Sequence, residues 1–416
     1  MKYPTNKLGK HIDVLSGFAF KNKDFVDSGI PVIKIKNVKP PEVTLEDLSY
    51  VSQEIAENAK KFELKYDDVL IAMTGSHINQ INSVVGRVAR VKYQCRTLLN
   101  QRVGKIIVLD NNDCDLDFVY YFLSQYEVQV ELAAKAGGAA NQANISPTDI
   151  KNLQIPFPNI EVQRRIAKIL RTYDDLIENN KKQIKLLEEA AQRLYKEWFV
   201  DLHFPGYENT EIVDGVPEGW KKVRLSSLFE IIRGKSYSSS ELAENKGVLM
   251  VNLSNIRSFG GYNRTQEKHF IGKYKNEQEV TTHDLIMGVT DMTQERRTVG
   301  RVALVPNLHK KAMISMDIIK LVPTNGSTIF YYHMLQDGGY SELISRFSNG
   351  TNVLHLRPEV LSLVDVILPT SDLQNKFTDI AINIQNKINV LQDQIELATE
   401  SRDRLLPKLM SGEIEV

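Results

Sequence analysis

The sequence predicts an α/β (α+β) protein built as a tandem pseudo-repeat, in which two mixed α/β domains are separated by two long antiparallel coiled-coil helices. In residues 159–200, apolar side chains recur in alternating steps of three and four, the spacing of a helix that packs along one stripe. The same pattern returns near the C-terminus, at a shift that takes Leu170 to Ala381. Short runs rich in Val and Ile, bounded by turn residues, recur in both halves. The predicted order is therefore domain, helix, domain, helix.

The first domain is predicted to occupy residues 1–158. Residues 30–38, 68–75, 84–91 and 103–109 are expected to form strands, because they combine β-branched residues with flanking Gly, Asn and Asp. Residues 116–136 are expected to form one helix that ends at Gly137–Gly138, since glycine favours helix termination.

The first long helix is predicted over residues 159–200, after Pro156 and Pro158, which prevent a helix from entering from upstream. Asn180 is the polar member of its seam, where an amide can fix the register of a coiled coil. The apolar seam comprises Leu170, Tyr173, Ile177, Ile184, Leu187, Ala191, Leu194 and Trp198. The simplest partner for this seam is the equivalent seam of the second helix.

The second long helix, with a C-terminal tail, is predicted over residues 370–416. Its seam residues equivalent to those of the first helix are Ala381, Ile384, Ile388, Leu391, Ile395, Ala398, Arg402, Leu405 and Leu409. Outside the seam, Gln374 corresponds to Gln163. Arg402 stands out, because a buried guanidinium requires a partner. We expect it to mark either the exposed end of the helix pair or a contact with another subunit.

Residues 201–220 are predicted to be a linker, because they are rich in Gly, Pro and acidic residues. The second domain is predicted over residues 221–369, where the motifs of the first domain return in order. VGRVARV in residues 85–91 matches VGRVALV in residues 299–305 almost letter for letter, and Asn37 aligns with Asn255. Duplication of one fold with small insertions explains these matches.

The composition excludes several classes of protein. The 416-residue chain has 52 Lys and Arg against 52 Asp and Glu, so its net charge neither favours nor excludes a nucleic-acid partner. The two cysteines form no disulfide framework or metal-binding spacing. We expect a cytoplasmic protein without a membrane partner, because neither a signal-like segment nor a span-length apolar run is present.

The motifs of covalent chemistry are missing from the sequence. We find no GxxxxGK[ST] loop, no strand-linked GxGxxG, no HExxH, no G-x-S-x-G and no Asn- or Asp-Pro-Pro-aromatic methyltransferase motif. We therefore expect that the chain is not an enzyme and has no catalytic residue, no cofactor of its own and no metal site.

The sequence resembles the specificity (S) subunits of type I restriction–modification enzymes. The resemblance is carried by VPEGWKKVRLSSLFEIIRGKSYS (216–238), NQRVGKI (100–106), VGRVA in both halves, IPFPNIEVQRRIAKIL (155–170) and RLLPKLMSGEI (404–414). It covers the whole chain, tandem repeat included, although the first half lacks the PxGW opening of the second. It implies two target-recognition domains, each of which reads one half of a bipartite double-stranded DNA sequence.

The resemblance also implies the partners. Two modification (M) subunits would dock on the helices and methylate adenine at N6 with S-adenosylmethionine, and restriction (R) subunits would add ATP- and Mg²⁺-dependent translocation and cleavage. Two alternatives remain open from the sequence: a recognition subunit of a methyltransferase-only system, and a coiled-coil scaffold whose domains bind protein.

Base reading needs hydrogen-bonding side chains on loops that can enter the major groove. Three loops in each domain carry such residues, and the residues differ between the two domains. Asn, Thr and Gly are, however, also ordinary turn formers. In the first domain the DNA-binding candidates are Lys34, Lys36, Asn37, Thr74, Ser76, Asn79, Gln80, Asn141, Gln142 and Asn144. In the second they are Asn252, Asn255, Arg257, Thr290, Thr293, Gln294, Arg296, Arg297, Asn349, Thr351, Asn352 and His355.

Contacts to DNA phosphates are a second role for basic residues. The candidates are Arg87, Arg90, Lys92, Arg96, Lys235, Lys310 and Lys311. Arg87 and its equivalent Arg301 are more readily explained as structural residues, because both lie within the repeated VGRVA motif.

Overall fold

The computed structural model describes residues 3–75, 85–136, 143–264 and 267–416. The chain divides into two compact units, Met1–Glu178 together with Ile395–Val416, and Asn179–Gln394. Each unit contains one globular domain of mixed helix and sheet, and a segment of each long helix. The predicted mixture of helix and sheet, present twice, is confirmed.

The first unit is built around an antiparallel sheet in which Ile12–Ser16 pairs with Val103–Val108, which pairs with Val69–Ala72, which pairs with Val88–Arg90. Its other strands are Thr5–Lys7, Phe25–Val26, Ile30–Ile33, Val38–Lys39, Glu42–Val43, Ser49–Val51, Thr74–Gly75, Leu98–Leu99, Ala143–Asn144 and Gln154–Pro156. Its short helices are Gln53–Asn58, Leu116–Ser124, Tyr126–Lys135 and Pro147–Lys151.

The second unit repeats this sheet: Phe229–Arg233 pairs with Ile318–Pro323, which pairs with Leu285–Gly288, which pairs with Val302–Leu304. Its other strands are Ile212–Val213, Val216–Pro217, Lys221–Arg224, Leu242–Ala243, Val248–Val251, His269–Phe270, Glu279–Val280, Thr290–Asp291, Ala312–Ile314, Leu354–His355 and Asp365–Leu368. Its short helices are Thr328–Gln336 and Tyr340–Ser345. These four strands have the same order in both units, as the sequence repeat predicts, and in the first unit the sheet continues into Glu42–Val43 and Val38–Lys39.

The two long helices are Ile160–Phe199 and Ser371–Ser411. In the second unit Asn180 contacts Gln394 and Tyr195 packs against Phe377, so the two helix segments there run antiparallel. In the first unit Asp174 pairs with Arg402. Arg402 therefore has an acidic partner within the chain. Apolar seam residues of both long helices are buried as well, for example Leu170 and Ala381.

Each unit has its own hydrophobic core between the sheet, the short helices and the long helices. In the first unit Ile12, Ile71 and Phe118 lie in one buried cluster with Leu170 and Leu409. In the second, the corresponding cluster joins the sheet to Phe330 on the Thr328–Gln336 helix and to Tyr195 and Phe377 on the long helices. The long helices are thus part of each core, and burial of their apolar stripe stabilises them beyond their own propensity.

A pair of glutamines performs the same task at the start of both long helices. Gln163 and Gln374 are buried, and their Nε2 atoms donate to the carbonyl oxygens of Pro158 (2.9 Å) and Pro369 (2.8 Å), respectively. The side chain therefore fastens the proline that precedes each helix. This explains why the sequence repeats the Pro and Gln together.

Two local predictions were wrong. The expected strand at 30–38 ends at Ile33, and residues 35–37 form a turn of 3₁₀ helix, because the side chain of Asn37 caps this turn. The expected helix at 116–136 breaks at Gln125, whose ψ of 137° is extended. Its predicted ending at Gly137–Gly138 lies outside the described residues.

The predicted linker at 201–220 has structure of its own. Phe204 and Trp220 are buried in a cluster with Leu373, because their aromatic rings cover the start of the second long helix. Between these two aromatic residues lie a turn of 3₁₀ helix at Tyr207–Asn209 and a hairpin of Ile212–Val213 and Val216–Pro217.

Candidate nucleic-acid interface

Two of the predicted loops of the second domain meet at one edge of the domain. Thr290–Asp291 pairs with Leu354–His355 in a short antiparallel ladder, with Thr290 opposite His355. Nε2 of Gln294 donates to the carbonyl oxygen of Thr351 at 2.7 Å, which joins the two loops beyond the ladder. Residues far apart in the sequence therefore form one continuous surface.

The buried carboxylate of Asp291 shapes the first of these loops. Its Oδ2 accepts hydrogen bonds from the backbone N–H groups of Thr298 (2.6 Å) and Val299 (3.3 Å), and its Oδ1 from that of Thr293 (2.7 Å). Burial opposes ionisation, but the bonds from Thr298 and Thr293 outweigh it and lower the pKa of Asp291. Asp291 is not among the candidates from the sequence, and its place three residues after the buried strand Leu285–Gly288 was the available signal.

The second loop is a small hairpin with an exposed tip. Asn349 and His355 exchange backbone hydrogen bonds of 3.0 and 2.9 Å, which closes the hairpin. Thr351 and Asn352 lie exposed at the tip, and the side chains of Asn349 and His355 are exposed at its base. These side chains carry the donors and acceptors that base edges require.

The first domain has the same ladder. Thr74 lies opposite Asn144, and the hydroxyl of Thr74 donates to Oδ1 of Asn144 at 2.8 Å. Thr74 and Asn144 therefore occupy the positions of Thr290 and His355. The remaining candidates of these two loops, namely Ser76, Asn79, Gln80, Asn141 and Gln142, lie outside the described residues.

The asparagines of the third predicted loop serve the backbone. Asn37 is buried; its Oδ1 accepts from the N–H of Lys34 and its Nδ2 donates to the carbonyl of Glu46. Asn255 is also buried and makes the equivalent bonds, to the N–H of Asn252 and the carbonyl of Asn263. Their amide groups are occupied within the fold, so we leave both out of the interface.

Asn252 is likewise buried, and its side chain bonds Met250 and Ser254. Arg257 pairs with Glu188 of the first long helix at 2.7 Å, and this carboxylate helps to raise the pKa of Arg257 against the effect of burial. These two contacts hold the loop within the second unit. These contacts therefore indicate no ligand-binding role for Asn252 or Arg257.

The charged candidates differ in exposure. Lys34 lies half-buried with its ammonium over the Phe25 ring at 3.7 Å, and partial burial followed by the charge of Lys36 lowers the pKa of Lys34. Lys36 is exposed. Arg296 is half-buried, whereas Arg297 is exposed and pairs with Glu295.

Several predicted phosphate contacts are ion pairs within the fold. Arg90 is buried, bonds Asp117 at 2.7 Å and stacks over Tyr120. Lys92 pairs with Asp67 at 3.2 Å. The other pairs are Arg96 with Glu57 and Glu63, Lys310 with Glu267, and Lys311 with Glu279. The acidic partners of Arg90, Lys92 and Arg96 thus come from elsewhere in the chain, and the phosphate role of these three residues stays a prediction.

In the described parts of the chain, no group of three or more His, Cys, Asp or Glu side chains could hold a metal ion. Nor is any helix in these parts both long and apolar enough to cross a membrane.

Comparison with known proteins places this arrangement in context. The family model described as the type I restriction modification DNA specificity domain matches residues 5–189 and 217–399. The type I restriction enzyme MjaIX specificity subunit of Methanocaldococcus jannaschii is 27% identical over 394 residues, covering 90% of this chain and 87% of the relative. The HindI specificity subunit of Haemophilus influenzae is 24% identical over 331 residues, covering 64% and 70%.

Among solved structures, the S subunit of a type I restriction–modification system from M. genitalium is similar in fold. The TM-score is 0.62 at 17% identity, and the match covers 99% of this chain and 96% of that one.

Proposed function

The chain belongs to the type I restriction–modification DNA specificity family and carries two recognition domains, and from this we propose that it selects the DNA target of a restriction–modification complex. Each domain reads one half of a bipartite double-stranded DNA target, and the two long helices set the distance between the half-sites. The chain itself does no chemistry. It directs modification subunits, which methylate adenine at N6, and restriction subunits to that target.

The observation that carries this proposal is the pair of loops joined by a ladder in each domain. The framework is common, with Thr74 opposite Asn144 in one domain and Thr290 opposite His355 in the other. The side chains beyond the ladder differ between the domains, as two readers of different sequences require. Bases are read by Gln294, Asn349, Thr351, Asn352 and His355 in the second domain, with Arg296 and Arg297 beside them.

In the first domain the corresponding reader is Asn144, together with Ser76, Asn79, Gln80, Asn141 and Gln142, which belong to the same two loops of the sequence. Thr74 is buried and bonded to Asn144, so it belongs to the ladder as Thr290 does. Lys36 contributes a phosphate contact or a base contact from the neighbouring loop. The evenly balanced total charge is compatible with this role, because a local surface, rather than net charge, positions a protein on DNA.

The helices act as a ruler in this proposal. The first, Ile160–Phe199, has 40 residues, and a helix of that length extends about 60 Å at 1.5 Å per residue. The contacts of Asn180 with Gln394 and of Asp174 with Arg402 support a fixed register for the segments in each unit. A rod of this order spans half-sites separated by about one turn of B-DNA, roughly 34–36 Å.

The cofactors belong to the partner subunits: the modification subunits bind S-adenosylmethionine, and the restriction subunits bind ATP and Mg²⁺. Two modification subunits would flip the target adenines out of the helix, at a cost of a few kcal/mol. The recognition domains assist by holding the flanking bases. Docking of both kinds of subunit on this chain is part of the proposal.

The test is to express the chain with and without its modification subunits in cells that lack other adenine methylation, and to map methylated adenines. We expect one bipartite motif, present only when both components are expressed. Methylation by the purified chain alone would overturn the non-catalytic role. Absence of salt-dependent DNA affinity in the assembled complex would favour the protein-binding scaffold instead.

A further inference from the structure

Each unit contains a cavity at the same place in the repeat, between a short helix of the domain and the long helices. In the first unit the cavity measures about 230 Å³ and is lined by Tyr120 of the Leu116–Ser124 helix. In the second unit it measures about 330 Å³ and is lined by Tyr332 of the Thr328–Gln336 helix. Each tyrosine is the fifth residue of its helix, so the two cavities correspond to each other.

The first unit supplies two arginines of its own to this place. The guanidinium of Arg90 lies over the ring of Tyr120, 4.0 Å from its centroid. The guanidinium of Arg402 bonds Asp174 at 2.7 Å, and Asp174 also accepts from the hydroxyl of Tyr121 at 2.6 Å. An aromatic ring and a carboxylate are thus each paired with a guanidinium in the first unit.

The second unit lacks both of these arginines. Leu304 occupies the position of Arg90 in the matching segments 299–305 and 85–91, and the shift that relates the two long helices takes Arg402 to Ala191. Both Leu304 and Ala191 line the larger cavity. The ring of Tyr332 is therefore kept, whereas small or apolar side chains replace the two arginines that accompany its counterpart.

Gln336 presents an acceptor without a donor in the second cavity, which it lines. Its Nε2 donates to the carbonyl oxygen of Phe259 at 2.9 Å, and this bond fixes the orientation of the amide. Its Oε1 is buried, and no donor from the described part of the chain reaches it. Because a buried acceptor without a donor is destabilising, a ligand that brings an N–H group to this oxygen is favoured.

The charged residues around the second cavity also favour a cation. Three acidic and two basic side chains line it, namely Glu188, Glu189, Asp337, Lys185 and Arg257. Arg257 already pairs with Glu188 at 2.7 Å. The side chain of Asp337 is only 10% exposed and hydrogen-bonds Nδ1 of His333 at 2.6 Å through one of its oxygens. Burial, followed by the charge of Asp337, raises the pKa of Tyr332, so that its hydroxyl stays protonated.

From these observations we propose that the second cavity receives an arginine side chain of the modification subunit. The guanidinium stacks on the ring of Tyr332, donates to Oε1 of Gln336 and lies close to the carboxylate of Asp337. A guanidinium suits this space better than an ammonium, because it is planar and more weakly hydrated. The cavity is accessible to such a side chain, since Lys185 and Gln192 at its rim are exposed.

The proposal makes the two docking positions on the chain unequal. In the first unit Arg90 and Arg402 already provide the guanidinium groups, so an arginine of the partner is not needed there. Two copies of the same modification subunit therefore bind with different contacts, and only the copy at the second unit inserts an arginine. The inference rests on the proposed function, because that function requires the modification subunit as a partner.

The test is to rebuild the ion pair of the first unit inside the second. Ala191→Arg with Gln385→Asp places the residues of Arg402 and Asp174 at the equivalent positions of the full chain. Titration with purified modification subunit, followed by native mass spectrometry, measures the binding of each copy. We expect the wild-type chain to bind two copies, and the double variant to bind one of them about tenfold or more weakly, as loss of a buried arginine contact does.

The matched control is Ala190→Arg with Gln385→Asp. It introduces the same two side chains, but its arginine lies at the exposed neighbouring position of the helix. Two copies of the modification subunit should bind this control as they bind the wild type. The free energy of unfolding of both double variants, measured with denaturant, establishes that the second unit is folded.

A second pair of variants tests the stacking without filling the cavity. Tyr332→Phe keeps the aromatic ring and should retain the binding of both copies. Tyr332→Leu removes the ring and should weaken the same copy about threefold or more, the contribution of a cation–π contact. If the double variant with Ala191→Arg does not fold, this pair decides the question.

The outcomes distinguish this inference from the proposed function. If the wild-type chain binds no modification subunit, the proposed function fails. If the wild type binds two copies, and the folded double variant binds both with unchanged affinity, only the arginine site is overturned. Equal effects of Tyr332→Leu and Tyr332→Phe on binding would overturn it as well.

Discussion

Asp291 shows how one side chain can set the geometry of a whole reading loop. Its carboxylate accepts from both ends of the segment between Thr293 and Val299, so the loop is closed by charge-assisted hydrogen bonds. The first domain has Gly75 at the equivalent position and cannot use the same device. The two domains therefore shape equivalent loops by different means, which allows their surfaces to diverge.

We predict that Asp291→Asn destabilises the second domain by about 1–3 kcal/mol, because the new NH₂ group faces backbone donors and leaves one of them unpaired. The free energy of unfolding, measured with denaturant, checks this. Discrimination in the second half-site should fall while that in the first is retained. Asp372→Asn, at an exposed helix start, is the control and should change stability by less than about 0.5 kcal/mol. Equal effects of the two substitutions would contradict the role of Asp291.

The lowered pKa of Asp291 also predicts the pH dependence of this contribution. The carboxyl pKa is lower in the folded state than in the unfolded chain, where it is about 3.9. The stabilisation is therefore fully present above that value and is lost as the pH falls through the folded-state pKa. The difference in unfolding free energy between the wild type and Asp291→Asn should be constant from pH 7 to 5 and should shrink below about pH 4. A difference that grows on acidification would contradict it.

Asn255 tests whether a side chain that resembles a base reader is in fact structural. We predict that Asn255→Ala lowers the free energy of unfolding by about 1–3 kcal/mol, because the N–H of Asn252 and the carbonyl of Asn263 lose their partner. The methylated motif should remain the same. The comparison is Asn352→Ala at the exposed hairpin tip, which should change the motif and spare the stability. A changed motif with unchanged stability for Asn255→Ala would restore it to the interface.

At the scale of elements, periodicity was sufficient to find the long helices, since Ile160–Phe199 follows from apolar spacing and an upstream proline. It was insufficient at residues 30–38, because the strand ends where the side chain of Asn37 accepts a hydrogen bond from the N–H of Lys34, a local bond that apolar spacing does not reveal. The alignment of Asn37 with Asn255 was visible in the sequence. Whether a repeated asparagine binds DNA or the backbone was not, because both roles use the same amide.

The same limit explains the basic residues. Arg90, Lys92 and Arg96 are close in sequence and appear as a positive stretch, but their acidic partners are Asp117, Asp67 and Glu63, which the fold brings to them. Charge runs along a chain therefore overestimate the positive surface of a folded domain. By contrast, the need of Arg402 for a partner was predictable from its seam position. That this partner is Asp174 of the same chain, where we expected an exposed end or a contact with another subunit, required the structure.

Arg402 joins the C-terminal helix to the first unit. Its NH1 bonds Asp174 at 2.7 Å, and Asp174 also accepts from the hydroxyl of Tyr121 at 2.6 Å. Burial opposes the charge, but Asp174 and Asp403 outweigh it and raise the pKa of Arg402. We predict that Arg402→Ala costs about 1–3 kcal/mol of unfolding free energy, because Asp174 keeps its charge without its guanidinium partner.

The matched control is Arg404→Ala two residues further on, an exposed arginine whose partner Glu400 lies on the same helix. Its loss should cost about 0.5 kcal/mol or less. Thermal and denaturant unfolding of the full chain measure both variants. A cost for Arg402→Ala no larger than that of Arg404→Ala would mean that the Asp174 pair adds nothing to the attachment of this helix.

For the whole molecule, the decisive quantity in the proposed function is the length of the helical ruler. We predict that a seven-residue insertion in each long helix, between residues 178 and 179 and between 394 and 395, lengthens the unread spacer and leaves both half-sites unchanged. Seven residues keep the three–four spacing of the seam in phase. They add about 10.5 Å of helix at 1.5 Å per residue. At about 3.4 Å of duplex per base pair, this added length corresponds to roughly three base pairs.

Three base pairs also rotate the second half-site by about 100°, because B-DNA repeats every 10–10.5 base pairs. Affinity should therefore fall even as the preferred spacer grows, and the mapped motif rather than the amount of methylation is the relevant measurement. The control is a seven-residue insertion between Asp214 and Gly215, at the tip of the hairpin that precedes the second domain. Because that hairpin is not part of either helix, its insertion should preserve the spacer, and a helix insertion that also preserves it would exclude the ruler.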